Sequence, residues 1–224
     1  MPRPSAPLYL QEELLLLGLK DREGTPQTLG TYEYALGAAL AAELLASGRV
    51  ALAGEKKKRL ELRDARPLGE PLLDECLTKI AAARRAADLA AWVRRFSALK
   101  GLRRRVALGL CERGILRADE DTVLLLFRRR IYPELDPRAE RAIVERLRRA
   151  LFTETRDVDA RTIILLALAD SLGLLAAIFG KAELKERKAR LRELTAGEAF
   201  GQIARELLQA ARAAVAAAAT AGRH

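Results

Sequence analysis

The stretch RTIILLALADSLGLLAAI, residues 161–178, contains the longest apolar run in the chain. It includes Asp170 and Ser171, and it falls short of the roughly 20 apolar residues that a membrane-spanning helix needs. A segment that is apolar on every side and too short to cross a bilayer has to be buried in protein. It therefore predicts a central buried helix, opened by Asp157 or Asp159 as a cap.

The rest of the chain supplies those elements. Half of the 224 residues are hydrophobic and only 4% are aromatic, with alanine and leucine, both good helix formers, dominating. LYLQEELLLLGLKDREG (8–24) predicts an apolar helix closed by a charged turn, and TYEYALGAALAAELLAS (31–47) a second, with Gly48 just past its end. Leu72, Leu73, Cys76, Leu77 and Ile80 share one helical face, as do Leu89, Trp92, Val93 and Phe96 behind a capping Asp88. Leu99, Leu102, Val106 and Leu110 form the stripe of the next helix, which stops at Gly114. Asp136 and Pro137 open RAERAIVERLRRALF, and two further helices are expected over 181–195 and 198–221. Alternating Val50/Leu52 and Leu60/Leu62 predict one β-hairpin, and ILRADEDTVLLLFRRRIYP (115–133) a second. The expectation is a mainly α, single-domain protein: a tail over 1–7, then one helical domain over 8–221.

The residues of most enzyme chemistries are missing. The only histidine is His224, no serine sits in a G-x-S-x-G turn, and neither a phosphate-binding loop nor a G-x-G-x-x-G occurs. Cys76 and Cys111 lack metal-ligand spacing and read as reduced structural residues. The pairs Glu12–Glu13 and Asp74–Glu75 read as solvated surface carboxylates. A binding protein is expected, with no catalytic residue, no cofactor and no metal.

The net charge of +10 favours an anionic partner. Lys56–Arg59 form one basic cluster. Arg94, Arg95, Lys100, Arg103, Arg104 and Arg105 gather at a junction of two helices, and Lys100 and Arg103 have helical spacing. Arg128, Arg129 and Arg130 form a third cluster directly after Leu124, Leu125, Leu126 and Phe127. Two binders compete. A winged-helix nucleic-acid protein would use the basic helices and hairpins, with phosphate contacts giving salt-dependent affinity. However, a DNA wing has little use for four adjacent large apolar residues. A peripheral membrane protein uses both halves: Leu124–Phe127 enter the interface, and Lys100, Arg103 and Arg128–Arg130 contact lipid phosphates. Packing of the apolar run in an oligomer interface is the remaining reading.

LYLQEELLLLGLKDREG (8–24), AAELLASGRV (41–50), GEPLLDECL (69–77), the tryptophan of DLAAWVRRF, LRRRVALGLCERGIL (102–116) and RTIILLALADSLGLL (161–175) occur in that order. Together they resemble the Golgi phosphoprotein 3 family over about residues 8–215. The resemblance implies a helical bundle with a protruding β-hairpin, phosphatidylinositol 4-phosphate binding on the cytosolic face of a membrane, and a retention adaptor with protein clients. It places the family's hydrophobic hairpin, implicated in membrane contact and self-association, on Asp119–Arg130. It also places two headgroup-binding arginines on Lys100 and Arg103. No aromatic stands at Thr28–Leu29, where the family has its pocket tryptophan, and Gly37 replaces a further arginine. Short length and Ala/Arg-rich composition suggest a bacterial member.

Overall fold

In a computed structural model, the structure describes residues 7–20, 25–26, 32–54, 59–123, 127–155 and 157–196. The elements run α1 (Leu10–Gly18), β1 (Leu19–Lys20), β2 (Thr25–Pro26), α2 (Tyr32–Ala46), β3 (Val50–Ala53), β4 (Arg59–Leu62), α3 (Pro71–Ala81), α4 (Leu89–Ser97) and α5 (Leu102–Glu112). They continue with β5 (Asp119–Val123), β6 (Phe127–Ile131), α6 (Arg138–Phe152), α7 (Ala160–Ser171), α8 (Leu174–Phe179), α9 (Lys181–Glu186) and α10 (Lys188–Ala196). The fold is mainly α, as expected. The tail over 1–6, the turn at 55–58, Leu124–Leu126 and the expected helix over 198–221 lie outside the described residues.

Three helices make the centre. Every residue of α1 is buried, α2 is buried along most of its length, and α7 is buried from Thr162 to Ala169. The ring of α3, α4, α5 and α6 buries one stripe per helix, as Leu72/Leu73/Cys76/Leu77/Ile80 does in α3 and Leu89/Trp92/Val93/Phe96 in α4. The predicted single helix over 163–178 is in fact two. Gly173 adopts φ 72° and its N–H closes on Asp170 O at 2.9 Å, so the chain turns there and restarts as α8. The charged segment also divides, into α9 and α10 at Arg187. No helix among the described residues is long and apolar enough to cross a membrane.

Capping follows the sequence closely. Asp88 accepts the Ala91 N–H at 2.8 Å, and Asp159, rather than Asp157, accepts the Thr162 N–H at 2.8 Å. Pro137 sits one position earlier than expected, as the cap of α6, while the Asp136 carboxylate accepts the Arg138 N–H at 3.1 Å. Both expected hairpins are antiparallel pairs, but Asp119–Asp121, where the sequence suggests the turn of the second, belong instead to strand β5. β3 sets Val50 opposite Leu62 and Leu52 opposite Leu60, and β5 sets Asp119 opposite Ile131 and Val123 opposite Phe127. A third, two-residue pair joins β1 to β2.

Glu12 and Glu13 depart from expectation. They are buried, not solvated, at 6% and 4% exposure, and Glu43 joins them at 7%. Each has a guanidinium partner: Arg113 at 2.6 Å from Glu12, Arg146 at 2.8 Å from Glu13, and Arg161 at 2.6 Å from Glu43 and 3.5 Å from Glu13. Burial pushes the Glu12 carboxyl above its ordinary value, against the pull of the Tyr9 N–H and Arg113. The pairs tie α1 to α2, α5, α6 and α7. Paired burial is the arrangement that makes an interior carboxylate tolerable.

Candidate functional site

Gly101 adopts φ 64° as the cap of α5, so the helix begins at Leu102. Lys100 therefore lies in the turn between α4 and α5 and not on the helix with Arg103. The two residues face different surroundings. Arg103 donates to Glu33 in the first turn of α2 at 3.0 Å, and its guanidinium lies 4.8 Å from the centre of the Tyr32 ring. Tyr32 is itself fully buried, with its hydroxyl donating to Leu14 O at 2.5 Å, and burial raises its pKa. Arg103 is thus held by a carboxylate and an aromatic face at the start of α2. Lys100 is exposed, and no carboxylate among the described residues pairs with it.

Lys100 instead borders a cleft of about 910 Å³ on the α3 side of α4. Lys79 of α3, Arg84 and Arg85 of the following turn, and Trp92 and Arg95 of α4 line the rest. The only carboxylate in that lining, Glu75, is engaged by Arg105 at 2.5 Å and Lys79 at 3.6 Å. The Arg105 hydrogen bond holds its carboxyl below the ordinary value. Arg95 lies 4.5 Å from the Trp92 ring centre. Trp92 is 2% exposed, and its Nε1–H has no acceptor among the described residues. The sequence drew attention to Arg95 and Lys100 but not to Lys79, Arg84 or Arg85. Those three lie on and just after a helix whose apolar stripe was its only evident feature. Their convergence on Trp92 is a consequence of how α3 packs beside α4.

The β5–β6 ladder sets Arg130 opposite Glu120, Arg129 opposite Asp121 and Arg128 opposite Thr122. In register, the arginine triplet lies opposite Glu120, Asp121 and Thr122. Of the apolar run, Leu124–Leu126 lie outside the described residues, and Phe127 opens β6.

At Gly37 the structure explains the missing arginine. A Cβ there would lie 2.7 Å from the Val93 carbonyl oxygen and 2.8 Å from the Ser97 nitrogen, so α2 and α4 meet backbone to backbone. Position 37 is a packing contact between the two helices.

A family model described as Golgi phosphoprotein 3 (GPP34) matches residues 10–216. The chain belongs to the Golgi phosphoprotein 3 family. Its similar curated relatives include the vacuolar protein sorting-associated protein 74 of Eremothecium gossypii, 30% identical over 160 residues, which is 62% of this chain and 48% of the relative. The protein of the same name from Schizosaccharomyces pombe is 28% identical over 172 residues, 68% of this chain and 50% of the relative. The chain spans about half the length of the curated relatives it matches. These two relatives are fungal, so the expectation of a bacterial family member finds no support in them.

Proposed function

We propose that this Golgi phosphoprotein 3 family member is a peripheral membrane protein. It binds anionic lipid headgroups, by resemblance phosphatidylinositol 4-phosphate, and serves protein clients as a trafficking or retention adaptor without catalysis. The observation that carries the reading is Lys100: an exposed cation with no acidic partner among the described residues, at the turn where the family resemblance puts a headgroup ligand. Relatives named for vacuolar protein sorting support the trafficking half. Arg103 and Arg128–Arg130 add to the headgroup contacts, and Leu124–Phe127 enter the interface. Each basic residue near an anionic surface contributes about 1 kcal/mol, and each fully buried apolar side chain about 1.5–3 kcal/mol.

Co-sedimentation with phosphatidylcholine vesicles, with and without phosphatidylinositol 4-phosphate, tests this. Lys100→Glu removes one favourable charge and adds an unfavourable one, so binding to the anionic vesicles is expected to weaken by about tenfold or more. Replacing Leu124–Phe127 by serine is expected to weaken it further. Equal pelleting on neutral and anionic vesicles would sink the headgroup reading, and undiminished pelleting of the serine variant would sink insertion. If light scattering shows that the serine variant has lost self-association and kept vesicle binding, the hairpin is an oligomer contact instead.

A further inference from the structure

We propose that the cleft between α3 and α4, which meets the proposed lipid contact at Lys100, takes a ligand carrying two or more phosphate groups on Arg84, Arg85 and Arg95. The argument starts from unbalanced charge. Arg84, Arg85 and Arg95 line the cleft with no carboxylate paired to any of them among the described residues, and the single lining carboxylate, Glu75, is already shared between Arg105 and Lys79. Like charges held around one concavity repel each other and raise the local concentration of anions. One phosphate satisfies about two guanidinium groups in forked geometry, so the three guanidiniums without a carboxylate partner among the described residues match more than one phosphate.

Size and rigidity agree with this. The cleft of about 910 Å³ lies within the range of small-molecule sites, about 300–1,000 Å³. Arg95 is held against the Trp92 ring at 4.5 Å, so that guanidinium is placed before any ligand arrives. Trp92, 2% exposed, forms part of the cleft wall, and its indole N–H has no acceptor among the described residues. The cleft lies on the α3 side of α4, whereas Arg103 is engaged by Glu33 and Tyr32 at the start of α2. The two positions share only Lys100 at their common edge.

Trp92 is the sole tryptophan of the chain and lines the cleft, so its emission responds to changes there. The experiment titrates the full chain with inorganic pyrophosphate, and separately with phosphatidylcholine vesicles containing phosphatidylinositol 4,5-bisphosphate, while following tryptophan emission. A saturable change is expected with at least one probe. Arg84→Glu/Arg85→Glu, both exposed and in a turn, is expected to raise the half-saturation concentration by about tenfold or more, equivalent to 1.4 kcal/mol or more. A response to pyrophosphate identifies a soluble ligand as sufficient, and a response to vesicles alone identifies a membrane headgroup as the source. No emission change with either probe overturns the proposal, as does a change that the double variant leaves intact. Vesicle pelleting is read separately and depends on Lys100, so a silent tryptophan on vesicles that still pellet removes this site and leaves the lipid contact standing.

Discussion

Gly37 is a position where close backbone packing leaves no room for a side chain. The α2 and α4 backbones approach so closely there that even a methyl group would need the Val93 carbonyl to move. Gly37→Ala is expected to cost about 1–3 kcal/mol through overpacking, offset by about 1 kcal/mol from alanine's better helix propensity. A net fall in the urea midpoint is therefore expected, and a rise would mean that the helices part easily. The sequence records the substitution but not its reason, because the opposing backbone lies more than 50 residues away in the chain. The buried glutamates were hidden for a similar cause. Glu12 and Glu13 look like surface residues until their partners from α5, α6 and α7 are in place.

At the scale of elements, local chemistry was legible. The cap Asp159 opens α7 much as its position before an apolar run suggests. Burial pushes its carboxyl up, but hydrogen bonds from the Thr162 hydroxyl and N–H outweigh that and leave it below the ordinary value. A carboxylate lowered on folding stabilises the fold above its unfolded value of about 4 and loses that contribution as pH falls through the lower folded value. Asp159→Ala is expected to cost about 1 kcal/mol at neutral pH, a loss that shrinks in acid, as urea unfolding across a pH series would show. A constant difference at every pH would assign the cap's effect to something other than its charge. The hairpin was legible in part. DEDT and FRRR are visibly complementary strings, but only the register sets Asp121 against Arg129 and Glu120 against Arg130.

Across the whole molecule, the buried carboxylates and their arginines form one ionic tie between the central helices and the ring. Glu13, at 5% side-chain exposure, joins α6 through Arg146 and α7 through Arg161, both about one-third exposed. Glu13→Leu leaves Arg146 without its carboxylate partner, while Arg161 keeps Glu43. Partial solvent access to the arginines limits the penalty to about 1–3 kcal/mol. Chemical denaturation is the measurement, and an unchanged midpoint would mean that the tie adds nothing beyond apolar packing.

The sequence by itself determined the mainly α fold, the two hairpins, most helix starts and the family, because periodicity, caps and turn residues act within a few positions of each other. Only the tertiary structure decided that the central apolar stretch breaks at Gly173 and that three glutamates are interior. It alone separated Lys100 from Arg103 and drew Lys79, Arg84, Arg85 and Arg95 around Trp92. These outcomes depend mainly on which side chains and backbones meet across distant parts of the chain, and packing sets that through burial and charge pairing rather than through local pattern.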